Sequence, residues 1–103
     1  DCQYDSLDNI DSVSDFDIVI HATKVGMDPE DKPIIPTTLI KNKQIILDVV
    51  YSHTMPETKL IKEALKYKAT AISGIEMLLY QGVAQFELFT GKKAPIEAMR
   101  KAL

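Results

Sequence analysis

The sequence predicts an α/β chain, part of a doubly wound parallel sheet with flanking helices, and three observations point that way. Short apolar runs rich in branched residues recur at 16–22 (FDIVIHA), 44–50 (QIILDVV) and 69–73 (ATAIS). Segments with helical spacing of apolar residues fall at 59–67, 73–91 and 95–103. The resulting order (strand, loop crossover, strand, helix, strand, helix, helix) implies parallel strands joined by right-handed crossovers. Three strands are few, so one face or edge of the sheet is expected to stay uncovered.

Residues 1–17 hold six aspartates and no lysine or arginine. Among them Leu7, Ile10 and Val13 recur every third position, which allows a short helix or turn. The run 16–22 reads as a buried strand. Gly26, Pro29, Pro33 and Pro36 then break up regular structure and make 24–37 a long loop. Thr38, Leu39 and Ile40 can close it with one helical turn. The run 44–50 is the clearest strand, apolar enough to be covered on both faces. Asp48 interrupts it. At a strand's C-terminal end it could face a ligand, or it could receive hydrogen bonds from a neighbouring loop and hold that loop in place.

Thr58 is a suitable N-cap for the helix 59–67, whose inward face is read as Leu60, Ile61, Ala64 and Leu65. Thr54 with Glu57 also fits a capping box and would move the start by a turn. Residues 69–73 lead straight into the longest helix. Pro95 at a first helical position opens the last one, with Ile96, Met99 and Leu103 at spacings of three and four.

The stretch SGIEMLLYQGVAQFELFTG (73–91) organises the rest. Turning roughly 100° per residue from Gly74 puts Ile75, Leu78, Leu79, Phe86 and Phe89 on one broad apolar arc. Glu76, Tyr80 and Glu87 share the opposite, solvent-facing side. Gln81 breaks this division, because it projects onto nearly the heading of Gly74, inside the arc expected to be buried. An unpaired buried carboxamide costs about 1–3 kcal/mol. Gln81 therefore calls for a polar partner: main chain, water or a ligand. Gly74 on the same face permits a close approach to the backbone.

Composition narrows the function classes. With 103 residues the chain is one small domain at most. No run approaches the roughly 18 apolar residues of a membrane span, so no membrane partner is expected. The net charge of −3 argues against a nucleic-acid surface. A lone Cys2 excludes an internal disulfide and fits a reducing, cytoplasmic setting. His21 and His53 are far apart and form no close-spaced metal pair. His21 at a strand end reads as a core or loop-bonding histidine, whereas His53 beside Tyr51 is either simply exposed or in touch with a ligand. Gly26, Gly74, Gly82 and Gly91 never form the G-x-G-x-x-G arrangement that cradles a pyrophosphate, and no nucleophile elbow is present. Spacing alone names no reaction.

Three blocks, DIVIHATKVGM (17–27), DVVY (48–51) and SGIEMLLYQGVAQFELFTGKKAP (73–95), change this. In that order and at those separations they resemble the C-terminal part of shikimate dehydrogenase, and the likeness runs from about Phe16 to the end. It implies a partial Rossmann-like sheet: residues 1–103 as the C-terminal portion of an NADP-binding domain with its C-terminal helices. The family reversibly oxidises shikimate to 3-dehydroshikimate with NADP, in aromatic amino-acid biosynthesis. By resemblance Thr23 lies in the loop that passes the cofactor, and Val49 packs near the nicotinamide. Tyr51 puts its hydroxyl on the substrate. Gly74 lets the nicotinamide carboxamide reach main chain, Met77 lines the same pocket, and Gln81 bonds a substrate hydroxyl.

Departures are His21, where the family usually has asparagine, Lys24, where it often has proline or serine, and Ser52-His53, where it commonly has asparagine-proline. The family's catalytic lysine and aspartate lie in an N-terminal substrate domain, and its glycine-rich phosphate loop opens the cofactor domain; neither is in this sequence. No catalytic residue is therefore assigned. The chain alone is expected to be inactive, with the missing N-terminal part of the enzyme as its partner. A quinate-oxidising enzyme stays open as a second reading. So does a non-catalytic module that binds a ligand or self-associates as a homodimer through an exposed sheet edge.

Overall fold

A computed structural model describes residues 4–51 and 57–103. Cys2, His53 and the capping-box residue Thr54 lie outside the described residues. The branched apolar runs form three strands of four residues each: β1 (Ile18–His21), β2 (Ile45–Asp48) and β3 (Thr70–Ser73). They pair in parallel in the order β1-β2-β3, with Ile18, Ile45 and Thr70 in one row and His21, Asp48 and Ser73 in another. Parallel neighbours need a crossover. Between β1 and β2 it is a loop carrying a single 3-10 turn, Thr37–Leu39; between β2 and β3 it contains helix α1 (Lys59–Lys66).

Helix α1 starts where the sequence places it. The Thr58 hydroxyl accepts the Ile61 N–H at 3.2 Å, satisfying one of the unpaired amides of the first turn. Leu60, Ile61 and Ala64 are buried, and Leu60 and Ala64 join Ile35, Ile40, Ile46 and Ala69 in the core on that face of the sheet. Leu65 does not belong to the inward face, being 52% exposed. It stands roughly 100° round from Ala64, at the border of the stripe.

Gln44, just before β2, is buried and ties three segments together. Its Oε1 accepts the Lys41 N–H at 2.7 Å, and its Nε2 donates to Val13 O at 3.1 Å and Phe16 O at 2.9 Å. That anchors the 3-10 segment Leu7–Asp15, none of whose own residues is buried, against the sheet.

Helix α2 (Gly74–Thr90) follows β3 with no intervening residue and stops at Gly91, whose φ of 65° is the left-handed cap that glycine adopts without strain. Helix α3 (Ile96–Ala102) folds back, with Pro95 one position earlier than expected, at the N-cap. Leu78, Leu79 and Gly82 of α2, Met99 and Ala102 of α3 and the following Leu103 line one shared apolar hollow. The expected apolar arc therefore holds for the first half of α2 and fails at its end, where Phe89 is 82% exposed. Among the described residues, those that share this hollow with α3 stop at Gly82 on the α2 side, short of the last two turns.

One sheet face is uncovered, as three strands led us to expect. Side chains alternate across a strand, so Ile18, Ile20, Leu47 and Ile72 share the face opposite the core. Ile18 is 58% and Ile20 61% exposed.

Candidate active-site wall at the C-terminal strand ends

All three strands end at one edge of the sheet, and parallel sheets bind ligands beyond that edge. The last row of the sheet, His21, Asp48 and Ser73, leads into Thr23, Val49–Tyr51 and Gly74. Buried Asp48 is the hub. Its Oδ1 lies 2.9 Å from His21 Nδ1 and accepts the Val50 N–H at 3.0 Å; its Oδ2 accepts the Thr58 hydroxyl at 2.5 Å. Asp48 is thus the loop-holding aspartate of the two sequence readings. His21, also buried, reaches the Thr23 hydroxyl through Nε2 at 2.7 Å, the loop-bonding role its position suggested. No buried side-chain polar atom among the described residues lacks a partner.

Val49 donates its N–H to His21 O at 2.9 Å. Beyond it the main chain meets α2 closely, since a Cβ on Gly74 would collide with the carbonyl groups of Val49 and Val50. The close approach that Gly74 permits is thus made at least in part by this chain's own backbone. It locks the start of α2 onto the loop after β2.

Along α2, Met77 and Gln81 face an open groove of ≈ 600 Å³, with Leu47, Ala71 and Ile72 of the sheet and Glu76 and Tyr80 of the helix. Gln81 is exposed, not buried as the projection implied. The arc it sits on opens onto the groove on this flank. Among the described residues its carboxamide has no hydrogen-bond partner, so it is free to meet one.

The structure thus groups Met77 with Gln81, Thr23 with His21, and Val49 with Gly74. Thr23 and Tyr51 are not among the residues lining the groove. Two lining residues escape the sequence reading. Tyr80 and Glu76 project toward solvent, yet both border the groove, and Glu76 is held there by Arg100 of α3 through both terminal guanidinium nitrogens, Nη2 to Oε2 at 3.1 Å. That hydrogen bond holds the Glu76 carboxyl below its ordinary 4.5. The 24-residue separation hides this pair from any local spacing rule. Among the described residues no three His, Cys, Asp or Glu side chains stand together to hold a metal, and no helix is long and apolar enough to cross a membrane.

Residues 74–103, comprising α2 and α3, match the family described as Shikimate 5'-dehydrogenase C-terminal domain. Over 103 residues the chain is 45% identical to the shikimate dehydrogenase (NADP(+)) of Methanobrevibacter smithii, a match covering 97% of this chain and 36% of that protein. The chain matches the C-terminal part of the shikimate dehydrogenases. Shikimate 5-dehydrogenase from Thermus thermophilus, solved with NADP(H) and shikimate, superposes at a TM-score of 0.76 with 27% identity, over 90% of this chain and 35% of that one. Quinate dehydrogenase from Corynebacterium glutamicum, solved with NAD, gives 0.81 with 28% identity over 92% and 33%. The chain spans about a third of the length of the shikimate dehydrogenases it matches. The α/β architecture and the family likeness read from the three sequence blocks are both borne out.

Proposed function

We propose that this chain forms the nicotinamide and substrate wall of an NADP-dependent shikimate dehydrogenase. In this reading Thr23, Val49, Gly74 and Met77 lie against the cofactor, while Tyr51 and Gln81 hold the substrate. The observation that carries it is Gln81: an unpartnered carboxamide on the rim of a mostly apolar groove, one helical turn from Met77. Such a groove suits a flat ring lying on Met77 and Ile72, with a hydroxyl turned toward Gln81.

NADP, when bound, supplies the hydride acceptor. This chain's residues orient and enclose. The main-chain lock between Gly74 and Val49–Val50 fixes the helix that carries Met77 and Gln81 relative to the strand ends. Removing a hydride from a hydroxyl carbon also requires a group to take the hydroxyl proton. None of the six assigned residues is suited to that, so the proton acceptor comes from the rest of the enzyme. Ile18 and Ile20 on the bare sheet face are the natural seat for that remainder. A cytoplasmic setting belongs to the same reading, supported by the lone Cys2.

A quinate-oxidising enzyme is the second reading, favoured by the likeness to quinate dehydrogenase. Self-association through the free edge of β1 is the alternative use of the bare sheet. Initial rates of NADP reduction separate shikimate from quinate as substrate. The chain supplemented with the N-terminal two thirds of a family member should turn over shikimate faster than quinate, and the chain alone should turn over neither. Steady shikimate oxidation by the isolated chain would refute the proposal.

A further inference from the structure

We propose that His21 is a positioning residue that fixes the Thr23 hydroxyl as an outward-facing hydrogen-bond acceptor. The polarity originates at Asp48. An ionised carboxylate offers only lone pairs, and this one already takes the Val50 N–H and the Thr58 O–H. The His21 Nδ1 at 2.9 Å is therefore the protonated ring nitrogen. In a neutral imidazole the other nitrogen, Nε2, is then bare and can only accept. The Thr23 Oγ1 at 2.7 Å must donate to it.

The same oxygen accepts the Val25 N–H at 3.1 Å. A hydroxyl has one proton and two lone pairs. The proton is committed inward and one lone pair is held by Val25. What Thr23 offers outward from its exposed position is the remaining lone pair. A ligand group that meets Thr23 must bring a donor, such as a sugar hydroxyl or an amide, rather than a bare phosphate oxygen.

Charged groups also stand around His21. Asp48, Asp28, Asp31 and Lys59 line the small cavity beside the ring. Asp31 is engaged by the N–H groups of Gly26 at 2.8 Å and Asp28 at 3.4 Å, which closes the loop downstream of Thr23. The proposal deepens the reading of Thr23 as a cofactor contact and rests on it for the ligand's chemistry. The ring's protonation pattern needs no ligand, so the two can fail separately.

The test is nitrogen-15 NMR of the histidine-labelled 103-residue chain near neutral pH, with His53→Gln identifying the second ring. The expected result is a single His21 tautomer protonated at Nδ1, with Nε2 accepting from a slowly exchanging Thr23 hydroxyl proton. His21→Asn keeps a nitrogen near the Nδ1 position and loses Nε2. It should speed exchange of the Val25 amide by about fivefold, the scale of one net hydrogen bond, and leave the Ile46 and Leu47 amides unchanged. Thr23→Ser in the otherwise wild-type chain should retain the wild-type pattern, and Thr23→Val should not. An Nε2-protonated or averaging ring overturns the proposal, as does unchanged Val25 exchange in a folded His21→Asn chain. If that variant does not fold, the wild-type tautomer alone decides.

Discussion

His21 Nδ1 lies 2.9 Å from Asp48 Oδ1, and this buried contact joins the ends of two neighbouring strands from positions 27 residues apart. It is one of three hydrogen bonds that converge on a single carboxylate, from β1, from the chain after β2 and from the cap of α1. Asp48→Ala strands the imidazole, an amide and a hydroxyl at once. Leaving three buried donors unsatisfied costs about 1–3 kcal/mol each, together comparable with the whole stability of a small domain. Urea denaturation should show Asp48→Ala largely unfolded without denaturant. Asp48→Asn, which keeps an acceptor, should fold with a lowered midpoint.

Gly74 and Gly82 sit on the same helix and should respond in opposite directions. At Gly74 a methyl meets the rigid carbonyls of Val49 and Val50. Gly74→Ala must push α2 off the loop, at a cost of about 1–3 kcal/mol. At Gly82 the nearest atom is the flexible tip of Met99, 3.2 Å from the added carbon. Met99 can yield, and alanine gains about 1 kcal/mol over glycine in a helix interior. Thermal unfolding should therefore rank Gly82→Ala at or above wild type and Gly74→Ala below it.

The two sheet faces give a similar contrast. Ile46 is fully buried in the core, and Ile46→Ala should cost roughly 2–5 kcal/mol. Ile20, one row on and on the bare face, should tolerate Ile20→Lys within about 0.5 kcal/mol. Denaturation midpoints measure both. If two copies of this chain pair through the free edge of β1, sedimentation will show Ile20→Lys on that strand shifting the population toward monomer.

Glu76 gives the fold an acid-sensitive joint. Its carboxyl is held below its ordinary 4.5 by the Arg100 hydrogen bond. The stabilisation is therefore fully present above pH 4.5 and is lost as the pH falls through the lower, folded value. Amide shifts of α3 should report its loosening from α2 in that acid range. Glu76→Gln should abolish the acid-dependent step.

Local chemistry made much of this fold readable. Branched apolar runs give the strands, a threonine hydroxyl starts α1, and a left-handed glycine stops α2. Burial along α2 was the part that could not be read. A helical projection says which residues share a face, not whether anything covers it, so it puts Phe89 and Gln81 inside a roof that is not there. Contacts between distant segments were equally hidden. Gln44 reaching Val13 and Phe16, and Glu76 reaching Arg100, follow from how the elements dock and have no signature in spacing. Of the assigned site residues, Met77 and Gln81 share a groove. The roles of Thr23, Val49, Gly74 and Tyr51 come from the family likeness.

The most direct test is the Gln81→Ala variant in the chain supplemented with the N-terminal two thirds of a family member, with shikimate and NADP affinities measured separately. Loss of one substrate hydrogen bond should weaken shikimate binding by about 3- to 10-fold while NADP binding stays within about twofold, below the scale of one such bond. Equal weakening of both ligands, or no change in either, would contradict the assignment of Gln81 to the substrate.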